Sequence, residues 1–151
     1  MRTYLRFGAM IVTSTVVMYG LMYLNTYSVD HVVFSETRVY MALLMGACMA
    51  VIMLTFMLHM HTNRTVNMAI YLGSAAIFFG ALWLVRSQST IDEVSWMRAM
   101  IPHHSIAILT SERATISDPR AVRLSKEIIE TQRREIAEMK ALIQELRSRH
   151  Q

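Results

Sequence analysis

Long apolar runs without charge occupy most of the first 87 residues. Residues 7–24, 39–58 and 66–85 contain no charged side chain. At about 1.5 Å of rise per residue, a helix of each length covers most of a hydrocarbon core about 30 Å thick. A soluble protein rarely needs three such runs in succession. The pattern therefore predicts a membrane domain over residues 1–87 with three transmembrane helices.

Beyond residue 88 the pattern changes to that of amphipathic helices. One helical face over residues 88–115 carries Met97, Met100, Ile101, His104 and Ile108. From Pro119 onward, apolar positions recur at alternating spacings of three and four, a heptad seam into which Ser125 and Gln132 are set. Asp118 before Pro119 is a typical N-cap followed by proline in the first turn. We expect a soluble antiparallel helical hairpin over residues 88–151.

The predicted fold class is all-α, with three transmembrane helices followed by this hairpin. Two helices alone bury too little apolar surface to be stable. The hairpin is therefore expected to complete a four-helix bundle by forming a homodimer or higher oligomer, or to pack on the membrane domain.

Charge separates the two parts of the chain and indicates their orientation. Residues 1–87 hold only five of the fifteen basic and two of the eleven acidic residues. An arginine bias at the ends of the runs favours a cytoplasmic amino terminus, which leaves the hairpin on the outer side of the membrane.

A signal peptide is the alternative for the first run. No small-x-small pattern follows it, so we expect a retained anchor. We expect the lipid bilayer as a partner and no nucleic acid.

The stretch WMRAMIPHHS, residues 96–105, raises the question of metal binding. At 100° per residue, His104 lies on the face of Met97 and Met100, while His103 lies 100° away at its edge. Pro102 cannot donate a helical hydrogen bond, so it predicts a kink or a break between two helices. The hairpin register places Gln132 opposite the histidine pair, Glu135 opposite Met100, and Met139 opposite Met97.

Two interpretations of this constellation remain open. Thioether and imidazole without thiolate form a donor set that suits Cu(I) or Ag(I), with Glu135 and Gln132 orienting the imidazoles. Methionine is also a common core filler, and a histidine beside a carboxylate is often a satisfied polar pair. Under the second interpretation the chain is a structural, membrane-anchored oligomerisation module, or a transporter subunit that binds no metal.

The motifs Met100-Ile101-Pro102-His103-His104, Asp118-Pro119 and Gln132-x-x-Glu135-Ile136-x-x-Met139 resemble the bacterial domain-of-unknown-function family 305, over about residues 90–143. The amino-terminal half is similar to a membrane-tethered version with three spans. The family motif often has glutamine after the histidine pair and methionine six residues past the second histidine. Those positions here are Ser105 and Thr110, so no thioether is carried over at the second.

This resemblance implies a ferritin-like fold and periplasmic copper binding at a bacterial inner membrane. It carries over His103, His104, Met100 and Met139 as ligands, with Met97 as an additional donor. The expected function is sequestration, tolerance or hand-over of the ion, with a copper transporter or chaperone as a partner. No enzymatic activity is expected. A ferritin-like di-iron oxidase needs Glu-x-x-His motifs, and this sequence contains none.

Overall fold

The computed structural model describes residues 2–149, and all regular secondary structure in this range is helical. The all-α prediction is therefore confirmed. Short 3₁₀ turns, Val29–His31 and Leu58–Met60, lie in the two segments that connect the first three helices. Between residues 2 and 149 the five α-helices are α1 (Arg2–Leu21), α2 (Glu36–Phe56), α3 (Arg64–Ser87), α4 (Glu93–Arg113) and α5 (Pro119–Arg149).

The chain divides into two compact units. The first, here called the apolar unit, consists of the residues up to Met22 together with Thr37–Thr90. The second, here called the hairpin unit, consists of Tyr23–Glu36 and the residues from Ile91 onward. Tyr23–Glu36, which the sequence division assigned to the membrane domain, belongs to the hairpin unit.

Each of α1, α2 and α3 is long and apolar enough to cross a membrane. They overlap the predicted runs, although α1 begins five residues earlier and ends three residues before residue 24. Many of their large apolar side chains are exposed, including Val12, Leu72 and Phe79. Apolar surface of this extent on long helices is typical of contact with lipid.

Small residues bring α1 and α2 into close contact within the apolar unit. Phe7, Ala50 and Leu54 form its buried cluster. At Gly46 the backbone of α2 approaches Thr15 of α1 so closely that an added Cβ would clash with the threonine Oγ1. Such an approach requires glycine on one of the two helices.

Replacing Gly46 with alanine is expected to destabilise the apolar unit by about 1–3 kcal/mol, because the new methyl group overpacks the contact. Thr15 Oγ1 donates a hydrogen bond to the carbonyl of Ile11 at 2.8 Å, so moving it away disturbs that bond. Thermal unfolding of the full chain in micelles measures the effect. Gly80→Ala is the matched control, since nothing lies within 4 Å of its added Cβ. Equal melting temperatures for the two variants would contradict the prediction.

The hairpin unit contains α4 and α5 packed against each other in antiparallel directions. Asp92 caps α4 by accepting a hydrogen bond from the backbone N–H of Ser95 at 2.6 Å. Asp118 lies before Pro119 and accepts one from the backbone N–H of Arg120 at 2.8 Å. The core between the helices contains Met97, Ile101, Ile108, Ile136, Met139 and Ile143. The ferritin-like assignment and dimerisation stay predictions.

Candidate functional site

Helix α4 is continuous through Pro102, which is buried inside it. Of the two outcomes that the sequence left open at this proline, a break between two helices does not occur. The missing N–H removes only the hydrogen bond to the carbonyl of Arg98. Met97, Met100 and His104 therefore follow one another at spacings of three and four along a single helical face.

This face of α4 and the facing side of α5 line a cavity of about 280 Å³ that is open to solvent on one side. Met97, Met100 and His104 line it from α4, and Met139 lines it from α5. Four of the five side chains predicted as ligands therefore share one space. The remaining lining residues are Trp96, Glu135, Glu138 and Leu142.

His103 lies outside this space. Its side chain is exposed, and its ring centroid is 6.3 Å from that of His104, with the ring planes tilted by 52°. The 100° step between adjacent helical residues accounts for the separation, because a continuous helix cannot direct both rings into one seam. The structure brings His104 together with the thioethers and leaves His103 beside the cavity.

A carboxylate lies next to the imidazole of His104. Glu135 Oε2 is 3.3 Å from His104 Nδ1, which is within ion-pair distance. The contact does not have the geometry of a hydrogen bond, and the buried Nδ1 of His104 makes no hydrogen bond. Gln132 Nε2 donates to the same carboxylate oxygen at 3.4 Å. The sequence placed Gln132 opposite the histidines, and the observed partner Glu135 lies three residues further along α5.

Burial lowers the pKa of His104, because the cavity disfavours the charged imidazolium. The nearby Glu135 carboxylate opposes this by raising the pKa, and the neighbouring His103 lowers it further. The net direction keeps the imidazole neutral at neutral pH. A neutral imidazole has a lone pair free to bind a metal ion.

The donors that line the cavity fit a soft monovalent ion. Three thioethers and one neutral imidazole are uncharged ligands of the kind that Cu(I) favours, and the carboxylates of Glu135 and Glu138 supply negative charge in the same lining. Over residues 2–149, no group of three or more His, Cys, Asp or Glu side chains is arranged to hold a metal ion. The thioethers are therefore essential to any metal site at this place. Met97 and Met139 are only 4% and 7% exposed and also belong to the hydrophobic core.

The segment Tyr23–Glu36 contacts α4 through Ser105, the residue that follows His104. Ser105 is fully buried, and its Oγ accepts a hydrogen bond from the backbone N–H of Tyr27 at 2.7 Å. The same oxygen lies 2.9 Å from His31 Nδ1. Val33 packs on the core of the hairpin unit. The sequence does not indicate these supporting contacts, because no periodic pattern marks the residues that make them.

Charged side chains of α5 hold the outer surface of the same segment. Lys140 forms an ion pair with Asp30, and the guanidinium of Arg133 lies over the ring of Tyr27. The hydrogen bonds from Lys140 and Ser28 lower the pKa of Asp30 to about 2. The segment therefore contacts both helices of the hairpin.

Comparison with known proteins supports the resemblance drawn from the motifs. The model of the family described as "Domain of unknown function (DUF305)" matches residues 84–147, a range that includes every residue lining the cavity. The chain is also similar to "Uncharacterized protein L153" of Acanthamoeba polyphaga mimivirus. The two are 33% identical over 108 residues, which cover 70% of this chain and 69% of the viral protein. No solved structure matches the chain.

Proposed function

We propose, on the premise that this chain belongs to the DUF305 family, that it is a membrane-anchored protein whose hairpin unit binds Cu(I) or another soft metal ion. Helices α1–α3 would anchor it, as their length and apolar composition allow. The hairpin unit would lie at the outer, periplasmic face of a bacterial inner membrane, in agreement with the arginine bias. Its role would be to sequester the ion or hand it to a transporter or chaperone.

One observation supports the metal proposal above the others: three thioethers and an imidazole from two helices line a single cavity of about 280 Å³. Met97, Met100, His104 and Met139 would be the ligands. Glu135 would orient the imidazole and balance the charge of the ion, with Gln132 holding the carboxylate. The exposed His103 would offer an additional donor to an ion entering or leaving.

A structural module that binds no metal is the second candidate function. The observation in its favour is that Met97 and Met139 pack in the hydrophobic core with Ile101, Ile136 and Ile143. Under this alternative the methionines fill the core, and the hairpin unit pairs with a second copy. Its ferritin-like four-helix bundle would then be complete without an ion.

Titration of the full chain with Cu(I) in the presence of a competing chelator separates the two candidates. We expect one ion per chain and a melting temperature that rises with the concentration of free Cu(I). At 100 times the dissociation constant, binding stabilises the folded state by about 2.7 kcal/mol. For a unit of this size that corresponds to a shift on the order of 10 °C. If the chain binds no Cu(I) and its melting temperature stays unchanged, the metal proposal is refuted and the structural module is the supported function.

A further inference from the structure

A second cavity, of about 320 Å³, lies in the apolar unit where α1 begins and α2 ends. Three polar side chains from the first turns of α1 line it: Arg2, Thr3 and Arg6. Phe7 and Met10 continue its wall along the same helix. Met57 and Met60, from the end of α2 and the following turn, form the other side. None of its lining residues belongs to the thioether and imidazole site, which lies in the hairpin unit.

Polarity changes in one direction along this cavity. The two guanidinium groups and the hydroxyl lie within the first five residues of α1, and the wall is apolar from Phe7 to Met10. Arg2 to Met10 spans about 12 Å of helix at 1.5 Å per residue. A charged end followed by an apolar stretch along a membrane-length helix matches the sequence of groups in a phospholipid.

The charge of these arginines has no carboxylate to balance it within the apolar unit. The two stretches that make up this unit, up to Met22 and Thr37–Thr90, contain no aspartate or glutamate. Arg2 and Arg6 are one helical turn apart, so both guanidinium groups reach the same side of α1. Paired guanidinium groups bind phosphate oxygens with strong charge-assisted hydrogen bonds.

Hydrogen bonds hold the two walls of the cavity in place. Tyr4 OH donates to Asn67 Oδ1 at 2.9 Å, and Asn67 Nδ2 donates to the carbonyl of His61 at 2.7 Å. The ring of His61 is 1% exposed and makes edge contacts with the rings of Tyr4 and Phe7. The turn that carries Met57 and Met60 is thereby tied to the start of α1, so the cavity is formed before any ligand binds.

The three thioethers of this cavity do not favour a second soft-metal site. Arg2 and Arg6 line the same space, and the positive charges of their side chains repel a cation. Methionine instead supplies a flexible apolar wall that adapts to a lipid chain. An anion with an apolar tail satisfies both parts of the lining, which neither a metal ion nor a free anion does.

We propose that this cavity binds an anionic phospholipid, with its phosphate at Arg2, Thr3 and Arg6 and the start of its acyl chains along Phe7 and Met10. The inference rests on the membrane insertion of α1–α3 in the proposed function. The bound lipid would fix the depth and orientation of α1 at the membrane surface, as basic residues at the ends of transmembrane helices do.

Native mass spectrometry of the full chain in zwitterionic phosphocholine micelles, with phosphatidylglycerol added as the probe, tests this inference. We expect one tightly bound phosphatidylglycerol per chain and at least about tenfold weaker binding in the double variant Arg2→Gln, Arg6→Gln. The matched control is Arg64→Gln, Arg86→Gln. It removes the same charge from exposed arginines of the same unit that do not line the cavity. We expect the control to bind like the wild type.

Equal binding by the wild type and the Arg2, Arg6 variant would overturn the proposal, as would an equal loss in the control. Inorganic phosphate and phosphatidylcholine are tested in separate titrations, and binding of either one as tight as that of phosphatidylglycerol would also overturn the proposal. Vesicle flotation and Cu(I) binding are measured on the same variants. Failure to float with vesicles would refute membrane anchoring, and this inference with it. Flotation without selectivity for the anionic lipid would refute this inference alone.

Discussion

Replacing His104 with alanine is expected to lower the Cu(I) affinity of the full chain by at least about 100-fold, whereas His103→Ala changes it less than tenfold. Loss of a group that only supports a ligand already costs 10- to 100-fold in affinity, and loss of the ligand costs more. His104 lines the cavity with the three methionines, and His103 is exposed beside it. Competition with a Cu(I) chelator measures both affinities under identical conditions.

The two histidines form a matched pair for this test, because they are the same residue type at adjacent positions of one helix. Equal losses in the two variants would contradict the assignment of His104 alone to the cavity. Met100→Leu is a second variant, which keeps the volume and removes the sulfur. It is expected to weaken binding while leaving the melting temperature of the metal-free chain nearly unchanged. Unchanged Cu(I) affinity in this variant would exclude Met100 as a ligand.

Most of the fold could be predicted from the sequence because its determinants are local. The three uncharged runs overlap α1–α3, because length and apolar composition are by themselves the signal of a helix that can span a membrane. The start of α5 at Pro119 follows from the fixed backbone angle of proline and the preceding Asp118. The sequence around Pro102 does not decide between a kink and a break, because packing in the hairpin unit determines whether the helix continues past the proline.

The arrangement of the candidate site could be predicted to within one helical turn. Helical spacing alone puts His104 on the face of Met97 and moves His103 to its edge. The turn between α4 and α5 then limits which residues of α5 can lie opposite. The sequence names both Glu135 and Gln132 beside the imidazoles without ranking them. In the structure Glu135 lies next to the imidazole of His104, and Gln132 donates to the same carboxylate.

The contribution of Tyr23–Glu36 could not be predicted from the sequence. Its contacts with Ser105 join residues 74 and 78 positions apart, and neither side carries a periodic pattern that would indicate pairing. Ser105 differs from the glutamine common in the resembling family, and here its hydroxyl binds this segment. Residues 88–151 in isolation lack these contacts, so binding and stability are to be measured on the full chain.

Replacing Ile108 with alanine is expected to destabilise the hairpin unit by about 2–5 kcal/mol. Ile108 is fully buried in the core between α4 and α5, one helical turn beyond His104. Removing its methyl and methylene groups loses apolar contact and leaves a cavity that the two helices cannot fully close. Leu124→Ala is the matched control, because Leu124 on α5 is 57% exposed and its truncation is expected to cost little. Thermal unfolding of the full chain, followed by helix content, measures both.

The effect of Cu(I) on the melting temperature of the Ile108→Ala variant tests whether the core and the proposed metal site belong to one folded unit. Ile108 does not line the cavity of about 280 Å³, so the ligands of the variant remain in place when the hairpin is folded. Binding linkage then requires Cu(I) at 100 times its dissociation constant to restore about 2.7 kcal/mol, a large part of what the substitution removes. A variant that melts early without Cu(I) and recovers with it would support a folded metal-binding hairpin. A variant that melts early and gains nothing from Cu(I), although the wild type binds the ion, would mean that the core and the ligands are not part of one folded unit.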